Sequence, residues 1–325
     1  MIQIRKAAIF GAGGATGYWI ARELRSRGIP TRVVGRDRER LRARFDGTGA
    51  EMVAADVADL DAARHAAAGC SLLVHCIGLP YPEFARHPVL ARRTVEAAHS
   101  AGARILQVSS YYSYEPVVSN PVTEAHPRNP RSWIARMRKE AEDILLDAGA
   151  AVTHLPDFYG PQADLSLANP AIRAILQGKR ADWIAPLDVP RQFLFVPDAA
   201  PILVSLALRE EAYGQRWNVA TTGAIPAQQF LEIAGRLSGK PVRVRAAGRN
   251  LLRMAGLFRP FLRFLAQLYP LYAHPPILDA SKIGALLGPF ESTPYEEGIR
   301  RTLDWMTASS SVSAATGPAP PPADR

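Results

Sequence analysis

The sequence predicts a doubly wound α/β fold, a parallel sheet with helices on both faces, followed by a smaller, mostly helical C-terminal lobe. Three observations predict it. Short apolar runs alternate with amphipathic segments from Lys6 to Ser109, the pattern of successive βαβ units. A glycine-rich turn, Gly11-Ala12-Gly13-Gly14-Ala15-Thr16-Gly17, joins the first apolar run to the first amphipathic one. The chain has 325 residues, 48% hydrophobic and 21% charged, so it can bury the core of one large domain or of two coupled ones.

The elements follow in order. Lys6 to Phe10 reads as a strand and Gly17 to Arg27 as a helix. Thr31 to Val34 is a second strand, followed by a basic helix from Arg38 to Arg44. Ala50 to Ala54 is a third strand, and Asp59 to Ala68 is helical with Gly69 as its stop. Ser71 to Ile77, Pro88 to Ala101 and Arg104 to Ser109 continue as strand, helix and strand. The second half is less regular. A helix from Ser132 to Ala148 precedes the strand Ala151 to Leu155. Gln192 to Val196 and Arg216 to Ala220 read as strands flanking a helix from Asp198 to Leu208, which Asp198 is expected to cap. Beyond Pro226 the pattern is helical, with a short strand at Val242 to Arg245. Residues 308–325 are rich in Ser, Ala, Gly and Pro and read as a disordered tail.

Composition excludes several function classes. Two cysteines, Cys70 and Cys76, cannot build a disulfide framework or a four-cysteine zinc site, and read as reduced thiols. His75 beside Cys76 has no clustered ligands, so no metal is expected. The formal charge is +9, and only five of the 39 basic residues are lysines. With no zinc finger, RNP motif or compact basic run, nucleic acid is not an expected partner. A phosphorylated or acidic ligand, or loose binding to polyanions, suits this charge. The N-terminal ten residues lack the apolar core of a signal peptide, and a cytoplasmic setting is expected. The most apolar stretch, Leu251 to Tyr272, carries Arg253, Arg259 and Arg263 and is interrupted by Pro260, so it should not span a bilayer. It reads as a cover over a substrate cleft or a dimer contact, with membrane-surface contact through 251–272 as the alternative.

The glycine turn carries the strongest chemical signal. A tight strand-to-helix turn needs residues without a Cβ, and it brings backbone N–H groups and the positive helix end to a pyrophosphate. Gly11, Gly13, Gly14, Ala15, Thr16 and Gly17 are therefore candidate cofactor-binding residues. Arg36 stands at the second strand end, where NAD sites commonly carry an acidic residue. An arginine there suits a 2′-phosphate, so Arg36, helped by Arg38, points to NADP(H), and Asp37 keeps NAD open. Asp56 and Val57 follow the third strand, and Ile77 and Gly78 close the fourth. All four join the candidates, with Asp56 as an acceptor from adenine or a cap for the next helix.

With these residues in place, the chain resembles the extended, epimerase/dehydratase-like branch of the short-chain dehydrogenase/reductase superfamily, a Rossmann-like fold. The likeness runs from Lys6 to about Met306. Gly11, Gly14 and Gly17 match the family's GxxGxxG. Ser110, four residues before Tyr114 in the segment Val108–Tyr114, falls on the catalytic serine. Pro121–Glu124 resembles the loop that follows. Leu155–Pro161 resembles RPxxxYGP with leucine for arginine, Val196–Ala200 resembles VxDxA, and Leu278–Lys282 and Glu297–Trp305 resemble the closing segment. The resemblance implies a dinucleotide-binding domain over 1–155, to which the chain returns at about 190–220. It also implies a substrate-binding lobe over 156–307, cofactor contacts at Pro156 and Phe158, and a homodimer through a four-helix contact.

One departure matters. The family's reaction centre is YxxxK, in which the lysine lowers the tyrosine's pKa and holds the nicotinamide ribose. Anchored on Pro130 and Ser132, the tyrosine position holds Ile134 and the lysine position Arg138; a shift by one gives Ala135 and Lys139. Isoleucine cannot transfer a proton. The candidate catalytic residues are therefore Ser110, Tyr111, Tyr159 and Arg138, with Tyr112, His126 and His154 as further groups and Lys139 as a ribose contact. His126 is expected to be solvated and His154 to be a core histidine. Three readings stay open: an atypical NADP(H)-dependent oxidoreductase acting on a small, hydrophobic carbonyl, enone or quinone-like substrate, a redox-neutral lyase, isomerase or dehydratase, and a non-catalytic NADP-binding sensor or partner-binding protein.

Overall fold

The computed structural model describes residues 1–315. Its first half runs β1 (Ala7–Phe10), α1 (Ala15–Ser26), β2 (Thr31–Gly35), α2 (Arg38–Phe45), β3 (Glu51–Ala54), α3 (Leu60–Ala67), β4 (Leu72–His75), α4 (His87–Ala101), β5 (Arg104–Ser110), α5 (Trp133–Asp147) and β6 (Ala151–Leu155). Three of the helices begin where short polar side chains take up free N–H groups. Asp37 caps α2, accepting from the Arg40 N–H, and Asp59 caps α3, accepting from those of Asp61 and Ala62. Ser132 caps α5.

The second half comprises β7 (Asp157–Tyr159), α6 (Ala168–Leu176), β8 (Ala181–Ile184), β9 (Pro190–Arg191), β10 (Phe193–Phe195), α7 (Val196–Ala207), β11 (Arg216–Asn218), β12 (Ile225–Pro226), α8 (Ala227–Ser238), β13 (Val244–Ala247), α9 (Arg249–Ala255), α10 (Pro260–Ala273), α11 (Ser281–Leu287) and α12 (Tyr295–Ala315). The apolar stretch 251–272 is thus split into α9 and α10. Pro260 opens α10, where its missing N–H costs nothing. The tail expected over 308–325 is helical through Ala315, and 316–325 lie outside the described residues. Asp198 does not cap α7. Phe195 holds that position, and Asp198 accepts instead from the backbone N–H and hydroxyl of Thr293 at 2.7 and 2.8 Å.

Seven strands form one sheet in the order β11-β6-β5-β4-β1-β2-β3, every adjacent pair parallel. The doubly wound parallel sheet is therefore present, with the helical lobe after it. Strand order reverses between β1 and β4, which opens a crevice beyond their carboxyl ends, where α/β sheets bind ligands. Alternating residues feed the two faces. Ala7 and Ile9 pack with α1 and α7 on one side, and Ala8 and Phe10 pack with α3, α4 and α5 on the other. The chain returns to this domain through α7 and β11. A separate aromatic core around Tyr159, Trp183, Phe193 and Phe230 holds the lobe.

Glu142 of α5 ties the sheet to the helix layer. It is 1% exposed and accepts from Ser109 Oγ at 2.6 Å and from an Arg128 guanidinium nitrogen at 2.6 Å, and it pairs with His154 Nε2 at 3.1 Å. Burial pushes its pKa up, but His154, Arg128 and Ser109 outweigh that and hold it at about 2, against an ordinary 4.5. The group binds no proton in the native state at pH 3, whereas the unfolded chain does. Its contribution is therefore complete above about pH 4.5 and lost as pH falls toward 2. We expect Glu142→Ala to cost about 3–5 kcal/mol, because it takes a buried partner from Ser109, His154 and Arg128 at once and leaves Arg128 with Asp143 alone. Urea unfolding across acid pH should also show a flatter stability slope for Glu142→Gln than for the native chain.

Candidate active site

The site is built on the turn from β1 to α1. Gly11 has φ +95°, and a Cβ there would stand 2.7 Å from the Cys76 carbonyl oxygen. At Gly17 a Cβ would fall 2.8 Å from both Ala12 Cα and the Gly11 carbonyl oxygen. These two contacts press the turn against the sheet. Gly14 caps α1 without a side-chain acceptor, and the first turn, with Ala15 and Thr16, carries no acidic residue. The positive helix end is left for an anion. Gly13 lies beside the Arg40 side chain, with 3.6 Å between its ideal Cβ and Arg40 Cδ.

Charged groups gather beyond β2 and β3. Arg36 and Arg38 are exposed. Arg36 is 3.7 Å from Glu83, and Arg86 joins Glu83 at 2.8 Å to Asp56 at 3.1 Å. The other Asp56 oxygen accepts from the Ala58 N–H. Asp56 is thus an anchor of the loop as well as a candidate adenine acceptor. Asp37 has one oxygen engaged by the Arg40 N–H. Val57 is buried in the helix-side core, Ile77 packs against that core, and Gly78 has open space where a Cβ would be.

At the end of β5, Ser110 Oγ is buried with no hydrogen-bond partner. Tyr111 donates to Asp157 Oδ1 at 2.9 Å. Burial raises the pKa of Asp157, while the Arg191 guanidinium at 3.3 Å and Tyr111 pull it down. Arg191 also donates to the Tyr272 carbonyl at 2.6 Å and lies 5.6 Å from the Trp183 ring centroid. Tyr112 and Tyr272 share a hydroxyl contact of 2.9 Å, and Tyr81 stands 3.3 Å from each. Burial raises all three phenols. The hydrogen bonds to Tyr81 and the charge of Arg138 work against that rise at Tyr81.

One face of α5 turns toward this tyrosine cluster. Ile134 is buried beside Phe84, Tyr111 and Tyr272. Arg138, one turn on, has its guanidinium 5.4 Å from the Phe84 ring centroid, and its buried Nε has no partner. No ion pair engages it among the described residues. Lys139, a candidate ribose contact, is turned away and paired with Asp143 at 2.6 Å. Tyr159 is also displaced from the expected cleft. It packs at 0% exposure among Phe195, Phe230 and Tyr295 in the aromatic core of the lobe. Phe158 packs against the sheet core, and Pro156 is buried at the β6–β7 junction.

The histidines are structural. His154 is fully buried between Glu142 and Tyr114. His126 is not solvated. At 5% exposure it pairs with the Pro127 carbonyl and accepts from the Val118 N–H. His75 bonds Thr94, and burial lowers its pKa to about 3. Among the described residues no group of His, Cys, Asp or Glu could hold a metal. Sequence reasoning missed Tyr81, Tyr272, Asp157, Arg191, Arg40 and Glu83. Asp157 lies inside the segment Leu155–Pro161, Arg40 in the basic helix and Tyr272 at the end of the apolar stretch 251–272, but what joins these residues to the site is long-range packing.

A family profile described as NAD(P)H-binding matches residues 11–155. No curated protein matches the sequence. Solved structures of similar fold include UDP-glucuronic acid 4-epimerase from Bacillus cereus with UDP-glucuronic acid and NAD, at TM-score 0.78 and 14% identity, covering 94% of this chain and 99% of that one. Also similar is dTDP-glucose 4,6-dehydratase from Bacillus anthracis with NAD, at TM-score 0.77 and 14% identity, covering 96% and 99%. UDP-glucose 4-epimerase from Thermotoga maritima aligns at TM-score 0.77 and 16% identity, covering 94% and 99%. Over 94–96% of its length the chain thus has the fold of these structures. Gly17→Ala should force the turn away from Ala12 at a cost of about 1–3 kcal/mol. Nucleotide affinity should fall at least about tenfold by calorimetric titration, the factor that 1.4 kcal/mol represents.

Proposed function

We propose, from the match of residues 11–155 to a family profile described as NAD(P)H-binding, that the protein is an NADP(H)-dependent oxidoreductase acting on a small hydrophobic carbonyl, enone or quinone-like substrate. One observation carries the reading. Arg138, with no ion-pair partner among the described residues, faces a cluster of three tyrosine hydroxyls beside the residue, Ile134, that stands where the family's tyrosine would be.

The residues fit the cofactor. The cradle that a Cβ would fill at Gly11 and Gly17, with the open end of α1, suits a pyrophosphate. Arg36, Arg38 and Arg40 suit a 2′-phosphate, although Glu83 beside Arg36 draws off part of its charge. The similar structures from Bacillus cereus and Bacillus anthracis hold NAD, whereas the arginines here favour NADP. When bound, the reduced cofactor supplies hydride. Arg138 holds a ribose hydroxyl and keeps positive charge beside Tyr81 and Tyr112. Ser110 Oγ, buried and unpartnered, donates to the substrate oxygen. Tyr112 supplies the proton, replenished through Tyr272 and Tyr81. Tyr111 does not serve, because its proton is engaged by Asp157.

Phe84, Leu268, Leu271 and Tyr272 line the same cluster, so the site excludes water and favours an apolar substrate. The free thiols of Cys70 and Cys76 support a cytoplasmic setting. A redox-neutral reading draws on the epimerase and dehydratase neighbours, and would be distinguished by turnover without change in cofactor absorbance.

The test is titration with NADPH, NADP and NAD, followed by an acceptor screen. NADP(H) should bind more tightly than NAD, and Arg36→Ala should remove about tenfold of that preference. Tyr112→Phe should lower kcat about 10²–10³-fold with NADPH affinity unchanged. No binding of any nucleotide would overturn the reading. Full activity in Tyr112→Phe would move the proton to another group.

A further inference from the structure

The lobe carries a surface that the proposed chemistry does not use. Ten large hydrophobic residues are exposed among the described ones, and five of them fall within eleven positions of α9, α10 and their junction. These are Leu251 at 52%, Met254 at 67%, Leu257 at 80%, Phe258 at 87% and Phe261 at 53%. Four exposed arginines, Arg249, Arg253, Arg259 and Arg263, are interleaved with them. None of these four forms an ion pair among the described residues, whereas nearby Arg236 and Arg245 are tied to Glu296 and Asp182. No acidic residue occurs from 233 to 278.

We propose that α9, α10 and the turn between them dock on a bilayer surface carrying anionic lipid. Leu257 and Phe258 at the turn would enter the acyl boundary, with the four arginines at headgroup level. The opposite side of the pair is already used. Leu252, Leu265 and Ala266 form one buried cluster, and Leu268, Leu271 and Tyr272 face the cleft. What remains is an apolar tip in a positive rim, the chemistry of an interfacial rather than a spanning segment. No helix among the described residues is long and apolar enough to cross a membrane. A second copy fits this surface poorly. A two-fold contact would bring arginines against arginines, with no carboxylate in 233–278 to neutralise them. Phe261, at the edge of the patch, has its ring 5.7 Å from Tyr81, so the docked surface would lie at the mouth of the cleft. The docking goes beyond the proposed reaction and stands without it.

The experiment is co-sedimentation of the full chain with vesicles of phosphatidylcholine alone and with about one-third phosphatidylglycerol, with light scattering of the free protein in parallel. We expect binding to the anionic vesicles, at least about tenfold weaker to the neutral ones, and weakened by salt. The double variant Leu257→Ser/Phe258→Ser should lose at least about tenfold in partition, since each buried methylene contributes about 0.8 kcal/mol. Arg253→Glu/Arg259→Glu should lose a similar factor on anionic vesicles only. NADPH titration of both variants should match the native chain, which separates loss of docking from loss of fold or cofactor site. Absence of binding to anionic vesicles would overturn the proposal. So would a dimer that Leu257→Ser/Phe258→Ser converts to a monomer, which would make the patch a contact between copies.

Discussion

The position of α5 depends on one buried carboxylate. Glu142 accepts from Ser109 on β5 and Arg128 in the preceding loop, and pairs with His154 on β6. Three separate parts of the chain thereby fix how α5 is rotated against the sheet. Ile134, Arg138 and Glu142 follow one another at intervals of four, so one face of the helix carries all three. Once Glu142 is held, Ile134 and Arg138 must look into the crevice beyond β5, and Lys139 must look out. His154 passes the constraint on to Tyr114, which donates to Asn218 on β11. A charge buried at this depth is tolerated only because three partners satisfy it, and that same requirement makes the arrangement unique.

The crevice that results is furnished from several segments. Ile134 and Arg138 come to it from one helix. The hydroxyls come from Tyr81 after β4, Tyr112 after β5 and Tyr272 at the end of α10. An arginine cannot give up its proton, so it acts here as a fixed charge and donor. Because the three phenols lie on different segments, the site is complete only when α10 is folded over it. Asp157 and Arg191 help to keep that roof in place, since Arg191 bonds both Asp157 and the Tyr272 carbonyl.

The helical lobe is divided by polarity in the same way. One side of α10 supplies the cleft, while α9 and the corner before α10 are exposed, apolar and ringed by arginines that form no ion pair among the described residues. The break at 256–259 goes with Pro260, which opens α10 and disfavours helical backbone at the residue before it, so that Arg259 is extended. It splits a stretch that a continuous helix would have made long and apolar, and it leaves Leu257 and Phe258 at a corner with little to pack against.

The sequence by itself determined the order of strands and helices, the β1–α1 turn and the helix starts at Asp59 and Ser132. These depend on local rules: apolar alternation, glycine where a Cβ has no room, and short polar side chains at free N–H groups. It also identified Ser110 and the absence of a tyrosine at 134. Tertiary structure decided the rest. Tyr159 went to the lobe core and Lys139 to the outer surface. His126 became buried, and Asp198 fastened Thr293 rather than its own helix. Tyr81 and Tyr272 are separated by 191 positions yet share one hydrogen bond. No local pattern marks such a pair, because what brings the two hydroxyls together is the packing of α10 across the sheet ends, a contact between surfaces that form only after each element has folded.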